Sequence, residues 1–263
     1  MAIHKILRDK GVFLFFILTG FFIGNTIVAE FVGGKIFSLE RLFGFPQMNL
    51  NLFGVSGLGF NLTAGVILWP LVFIMTDIIN EYYGPKAVRT LSYLAVGVVF
   101  YSFIMVYGAI GLPPNDWWQF QSGLSDDTGK NIPDMSMAFN KVMGQGLWII
   151  IGSMVAFLVG QIIDVAVFNK IKAITGARFV WLRSTGSTLV SQLIDSFVVL
   201  IIAFYIGADW ELSRVLAIGM VNYIYKGGMA IILTPLIYLS HNLIDAYLGK
   251  ETSSSMKLLA LNG

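Results

Sequence analysis

The chain has 263 residues, 56% of them hydrophobic and only 12% charged, with a net charge of +2 and a mean hydropathy of +0.77. A soluble globular chain carries roughly a quarter charged residues, so the composition points to a membrane protein. There is no cysteine and there are only two histidines, His4 and His241. Disulfides, thiolate chemistry and Cys- or His-rich metal centres are therefore excluded, no metal or cofactor is expected, and so small a net charge gives a nucleic-acid partner no support.

A membrane-spanning helix needs about 20 largely apolar residues. Six stretches qualify: 11–31, 61–81, 90–111, 144–168, 185–206 and 214–240. The first follows Lys5, Arg8 and Lys10 but is too long for the apolar core of a signal peptide, and five more follow it; it reads as a retained helix. Segment 32–60 holds Gly33, Gly34, Gly44, Pro46, Gly54, Gly57 and Gly59 and is too broken to span; an outer hairpin or a re-entrant piece is expected. Residues 112–140 form a second outer loop, acidic at Asp116, Asp126, Asp127 and Asp134. With the N-terminus inside, the inner segments hold Lys5, Arg8, Lys10, Lys86, Arg89, Lys170, Lys172, Arg178, Arg183, Lys250 and Lys257. The outer ones hold Lys35, Arg41, Lys130, Lys141 and Arg214. That asymmetry predicts both termini in the cytoplasm. One transmembrane domain over 1–263, an all-α bundle of six helices in the lipid bilayer, is the expected architecture.

Trp117, Trp118, Trp148, Trp181 and Trp210 lie near span ends, where an aromatic belt belongs, whereas Trp69 lies inside a span. Gly20 and Gly24, and Gly152, Ala156 and Gly160, recur every four residues. Small residues at that spacing let helices approach closely. Tight packing of the first and fourth helices within the bundle is the plainer expectation, and a homo-oligomer through the same faces is the alternative.

Charge at the bilayer centre costs roughly 2.5–3.5 kcal/mol, so polar residues inside spans face a cavity or one another. They are Asn25 and Glu30; Thr76, Asp77, Asn80 and Glu81; Gln161 and Asp164; Ser187, Ser191, Gln192 and Asp195; and Asn222 and Lys226. Gln161 and Asp164, three residues apart, share one helical face. Lys226 and Asp195 fall at mid-span, so Lys226 either pairs with Asp195 or Asp164 to hold helices together or meets a ligand. Ser187 and Ser191 can also bond back to their own helix carbonyls. "GQIID" (160–164), "SQLID" (191–195) and "HNLID" (241–245) look alike, but nothing flanking them aligns. No G-x-x-x-x-G-K-[ST], H-E-x-x-H or G-x-S-x-G occurs. Ser187 with His241 is the one nucleophile–base pair that an intramembrane enzyme could use.

At "FIMTDIINEYYGPKAVR" (73–89) and "GQIIDVAVFNKIK" (160–172) the chain resembles the queuosine precursor transporters, a family also called putative vitamin uptake transporters. The resemblance extends to Asn25, the Arg183–Ser187 run, Asp195, Lys226 and Pro235. It implies six helices, a fold similar to the substrate-binding subunits of vitamin importers, and a non-enzymatic protein of the bacterial cytoplasmic (inner) membrane. Such a protein would import 7-deazaguanine bases, the 7-cyano or 7-aminomethyl forms, without an ATP-driven partner. A 7-deazaguanine offers two donors that match one carboxylate, an acceptor at O6, and a flat ring. The expected polar site residues are Asn25, Asp77, Gln161, Asp164, Gln192, Asp195, Asn222 and Lys226. Gln161 and Asp164 would read the base edge, and Phe168, Phe197 and Tyr223 are stacking candidates. The competing readings are a substrate-capturing subunit of a multi-protein importer and an intramembrane enzyme.

Overall fold

The computed structural model describes residues 8–120, 132–176 and 179–261, so Lys5, Asp126, Asp127, Lys130 and Arg178 lie outside the described residues. The first helix, α1 (Lys10–Val32), starts where the Asp9 carboxylate accepts the Gly11 and Val12 N–H groups at 2.8 and 3.1 Å. Segment 32–60 then folds into short antiparallel pieces: β1 (Ile36–Ser38), the turn helix α2 (Leu39–Leu42), β2 (Leu50–Leu52) and β3 (Val55–Leu58). β2 pairs with β3, and β1 pairs with β4 (Asn61–Thr63), placing Phe37 opposite Leu62. The Glu40 carboxylate closes this hairpin layer by accepting the Phe60 N–H at 2.8 Å and the Ser38 hydroxyl at 3.0 Å.

A 3₁₀ turn (Ala64–Ile67) leads into α3 (Trp69–Tyr83). The expected span 61–81 is thus realised as a strand, a turn and a helix of 15 residues, about 22 Å long. Pairing to β1 holds residues 61–63 extended, and Pro70 in the first turn marks where the helix begins. Gly84 alone links α3 to α4 (Pro85–Ile110), and its φ of +83° with Pro85 following makes the reversal abrupt. Beyond lie α5 (Asp116–Gln119), α6 (Met135–Met143), α7 (Leu147–Thr175) and α8 (Val180–Leu200), which continues in a π-helical turn (Ile201–Ile206). The last expected span, 214–240, is broken: α9 (Leu212–Ile232) stops at Leu233, and α10 (Thr234–Leu248) restarts with Pro235 in its first turn. α11 (Lys250–Leu261) packs back onto α3 and has no counterpart among the expected spans, being too polar to read as one.

Among the described residues, five helical stretches are long and apolar enough to cross a membrane: Lys10–Val32, Pro85–Ile110, Met135–Thr175, Val180–Ile206 and Leu212–Ile232. α3 is the shorter sixth member of the bundle. Large apolar side chains such as Phe16, Phe21, Tyr93, Phe100 and Tyr101 stay exposed, a surface suited to hydrocarbon. The core between α1, α3, α4 and α7 is built from Phe22, Val72, Ile79, Tyr82, Ala95, Phe157 and Val165.

The small residues divide. α7 and α8 run against each other, and a Cβ on Gly152 would lie 3.0 Å from the Val199 carbonyl oxygen, while Ala156 is fully buried. The stripe on α7 therefore seats α8. Among the described residues a Cβ on Gly20 or Gly24 would meet nothing within 4 Å, so the expected tight seam on that face of α1 is not formed there. Gly65 is the closest approach of the 3₁₀ turn to α1, since a Cβ there would lie 2.5 Å from the Ala29 carbonyl oxygen. Gly65→Ala should destabilise the fold by about 1–3 kcal/mol by overpacking. A thermal unfolding midpoint equal to that of the parent, in one detergent, would show that the turn moves away freely.

Candidate functional site

α8 organises the interior. Ser184, Ser187, Thr188, Ser191, Gln192 and Asp195 recur every three or four residues and so form one polar stripe, nearly all of it buried. Opposite stand Asp77 and Glu81, one turn apart on α3, Asp164 on α7 and Lys226 on α9.

At the end of α3 next to Gly84, the Glu81 carboxylate takes Arg183 Nη2 at 2.9 Å and Lys172 Nζ at 3.1 Å, all three side chains at most 4% exposed. Arg183 Nη1 also donates to the Gly176 carbonyl at 2.7 Å, tying α8 to the end of α7. The single anion answers two buried cations, so its loss would strand both of them. Next to this triad, the Tyr82 hydroxyl donates to Asp245 at 2.6 Å and lies 3.2 Å from His241 Nδ1, while Lys257 holds Asp245 at 2.8 Å. That set locks α3, α10 and α11 together.

One turn further into the bundle, Asp77 accepts the Ser184 hydroxyl through one carboxylate oxygen, and its other oxygen has no partner. Asp164 accepts from Ser191 at 3.1 Å and likewise keeps one free oxygen. Lys226 forms an ion pair with Asp195, so of the two partners expected for it the structure selects Asp195. Lys226→Ala alone should cost on the order of 2–3 kcal/mol by stranding Asp195, less than for a fully enclosed pair because both side chains keep some exposure. Lys226→Ala with Asp195→Ala should unfold at a higher temperature than the single variant. A double variant no more stable than the single one would mean that Lys226 contributes through something other than this pair.

A cavity of about 450 Å³, mouth included, lies between α3, α8, α9 and α10. Trp69, Phe73 and Asp77 supply one wall, Thr185, Thr188 and Gln192 a second, and Lys226 a third, with Leu233 and Ile237 flanking the α9–α10 break. Three of the expected site residues, Asp77, Gln192 and Lys226, meet here, and Asp195 stands behind Lys226. The Gln192 amide nitrogen is buried without a partner. Asp164 is not among the lining residues; it is fully buried beside the α8 stripe. Gln161 borders a separate void of about 220 Å³ between α4 and α7, next to Arg89, Ser92 and Tyr93, with neither amide atom bonded.

The remaining expected residues serve elsewhere. Asn25 donates to the Phe21 carbonyl of its own helix at 2.8 Å. Asn222 and Tyr223 are half-buried on α9, one turn from Lys226. Phe197 is wedged against Gly219, where a Cβ would lie 2.8 Å from its ring. Phe168 lies about 6 Å beneath both Lys172 and Arg183, a seat for cations and not a wall of the cavity. Ser187 donates to the Ser184 carbonyl at 3.0 Å while His241 belongs to the Tyr82 set, so the two are engaged separately.

Residues that sequence reasoning missed are Trp69, Phe73, Thr185 and Thr188 in the wall, and Lys172 and Arg183 as buried cations. Trp69 carried a signal, a tryptophan well inside an apolar run. Lys172 and Arg183 were masked by lying among loop charges.

The family described as putative vitamin uptake transporter matches residues 63–240, more than half of the chain. The chain belongs to this family. The matched segment runs from the end of β4 through α3, α4, α7, α8 and α9 into α10, and so contains the whole cavity wall. A Bacillus subtilis (strain 168) protein named probable queuosine precursor transporter is 28% identical over 208 residues, covering 76% of this chain and 82% of its own. The Escherichia coli (strain K12) queuosine precursor transporter is 28% identical over 173 residues, 65% of this chain and 69% of its own. A Haemophilus influenzae protein named probable queuosine precursor transporter is 28% identical over 175 residues, 66% of each chain. No solved structure matches the chain. Family and apolar helices together make this a multi-pass membrane transporter of bacterial type.

Proposed function

We propose that the chain imports queuosine precursors, 7-deazaguanine bases, across the bacterial cytoplasmic membrane, and that the base binds in the α3/α8/α9 cavity. The observation that carries this reading is the juxtaposition, in one cavity, of an unpartnered Asp77 oxygen and an unpartnered Gln192 amide nitrogen beside two aromatic side chains, Trp69 and Phe73. The free carboxylate oxygen accepts from the N1–H and exocyclic amine of the base. Gln192 and Lys226 donate toward O6, and Trp69 or Phe73 stacks on the ring, a contact worth roughly 1–3 kcal/mol where bases meet aromatics. Ligand sites lined mainly by apolar groups with a few convergent polar ones are the usual kind. Asp164 backs the α8 wall through Ser191, Gln161 stands apart at the α4–α7 void, and both termini face the cytoplasm. The relatives named queuosine precursor transporters support this substrate class. No group in the cavity acts as a nucleophile in this reading, so the protein transports without catalysis.

A second reading, the substrate-capturing subunit of a larger importer, draws on the open Gly20 and Gly24 face of α1, a surface on which a partner helix could pack. Uptake of labelled 7-cyano- and 7-aminomethyl-7-deazaguanine by the purified protein alone in liposomes separates the two. Uptake above that of empty liposomes supports the first reading. Saturable binding with no uptake would transfer the assignment to the second, and no binding at all would remove the base from both.

A further inference from the structure

The Ser191 hydroxyl has one proton but two acceptors at the same distance, Asp164 Oδ1 at 3.1 Å and its own helix carbonyl, Thr188 O, at 3.1 Å. A hydroxyl donates once. Thr188 O already accepts the Gln192 N–H within α8, so Ser191 is free to serve Asp164, and what stays unserved among the described residues is Asp164 Oδ2. A proton on Asp164 removes the bare charge at this depth and lets the acid donate to the Ser191 hydroxyl, which then turns to Thr188 O.

The charges around it agree. The Asp164 side chain is fully buried, and an isolated carboxylate at that depth is costly. On α3, Asp77 has no cation in contact, and Glu81 is held by two, Lys172 of α7 and Arg183 of α8. Also on α8, Asp195 is occupied by Lys226 of α9. On α4, Arg89 is exposed; on α10, Asp245 is held by Lys257 and His241 by Tyr82. No cation among the described residues is left for Asp164. Asp77, which lines the cavity and keeps one unpartnered oxygen, is the other carboxyl next to the same stripe with no cation in contact.

We infer that Asp164 is a proton-binding site behind the base-binding cavity, and that its proton enters with the base and is released to the cytoplasm. This rests on the cavity reading given above. A base donating to Asp77 requires that carboxylate ionised, and two neighbouring ionised carboxylates without a cation are unfavourable. Occupancy of the cavity therefore tightens proton binding at Asp164, and loss of the base inside weakens it, so that the proton is shared with the cytoplasm more readily once the base has left.

Infrared spectroscopy of the purified protein at neutral pH tests the site without any substrate. A carboxylic-acid C=O stretch is expected in the parent protein, lost in Asp164→Asn, shifted in Ser191→Ala and retained in Asp195→Asn. Glu30, whose neighbour Ser153 is likewise shared between its carboxylate and the Ile150 carbonyl, is separated by its own Glu30→Gln variant. A spectrum with no such band, or one in which Asp164→Asn and Ser191→Ala leave every component in place, overturns the site; Ser191→Ala decides it should Asp164→Asn not fold. Coupling is read in liposomes loaded with a pH dye. Entry of the base should acidify the lumen in the parent and not in Asp164→Asn. Entry without acidification, or entry driven only by a sodium gradient, overturns the coupling. If the base does not enter under any gradient, the substrate assignment and the coupling to it fall together, and the infrared band alone decides the proton site.

Discussion

Glu81→Ala should be among the most damaging single substitutions in the protein, lowering folding stability by about 3–5 kcal/mol. It leaves Lys172 and Arg183, each at most 3% exposed, facing one another with no anion between them. Glu81→Gln should do nearly as much harm, because it keeps the volume and loses the charge. Replacing all three by apolar residues of similar size should recover much of the loss, since an absent triad leaves nothing uncompensated. Thermal unfolding in one detergent measures each variant. A loss below about 1 kcal/mol for Glu81→Ala would mean that water or lipid headgroups reach these cations.

Asp77→Asn should weaken base binding by about 100-fold or more while leaving the fold in place. The amide keeps one oxygen to accept from Ser184, so the α3–α8 contact survives. Its other end becomes a donor aimed at the donors of the base, and a buried mismatch of that kind costs far more than a missing methylene. The readout is the rise in unfolding temperature on adding base, since a ligand that binds only the folded state stabilises it. Equal stabilisation of parent and variant would take Asp77 out of the site.

Much of this was legible in the sequence because apolar length is a blunt, strong signal: the helices at 10–32, 85–110, 147–175 and 180–206 lie close to where hydropathy places them. The places where the reading and the structure part have physical causes. α3 is short, and its start is set by a strand pairing across some 25 residues, which no local pattern reports. Lys172 and Arg183 are buried by a single distant glutamate, so they resemble the loop charges beside them until Glu81 is brought near. Gln161 and Asp164 were recognised as sharing a face, but α7 is apolar on nearly every side. Its periodicity therefore gave no direction, and the cavity formed against α3 and α8 instead. The stripe on α8 was visible in part as Ser187, Ser191, Gln192 and Asp195; Ser184 and Thr188 completed it only once the partner helices were in place.

The shortness and polarity of α3 also fix an order of events in assembly. Its buried polar groups find their partners late in the chain: Glu81 meets Lys172 and Arg183 across 91 and 102 positions, and Asp77 meets Ser184 across 107. Until α7 and α8 have been synthesised, α3 holds two carboxylates with nothing to answer them, in a segment about 22 Å long where hydrocarbon is about 30 Å thick. It is therefore expected to settle last, pulled inward by helices made after it while α4, its neighbour through Gly84, is already threaded. Chains truncated before Phe179 should leave a cysteine placed at Asp77 open to an aqueous thiol reagent, and full-length chains should close it off. Equal protection in both would mean that α3 inserts on its own.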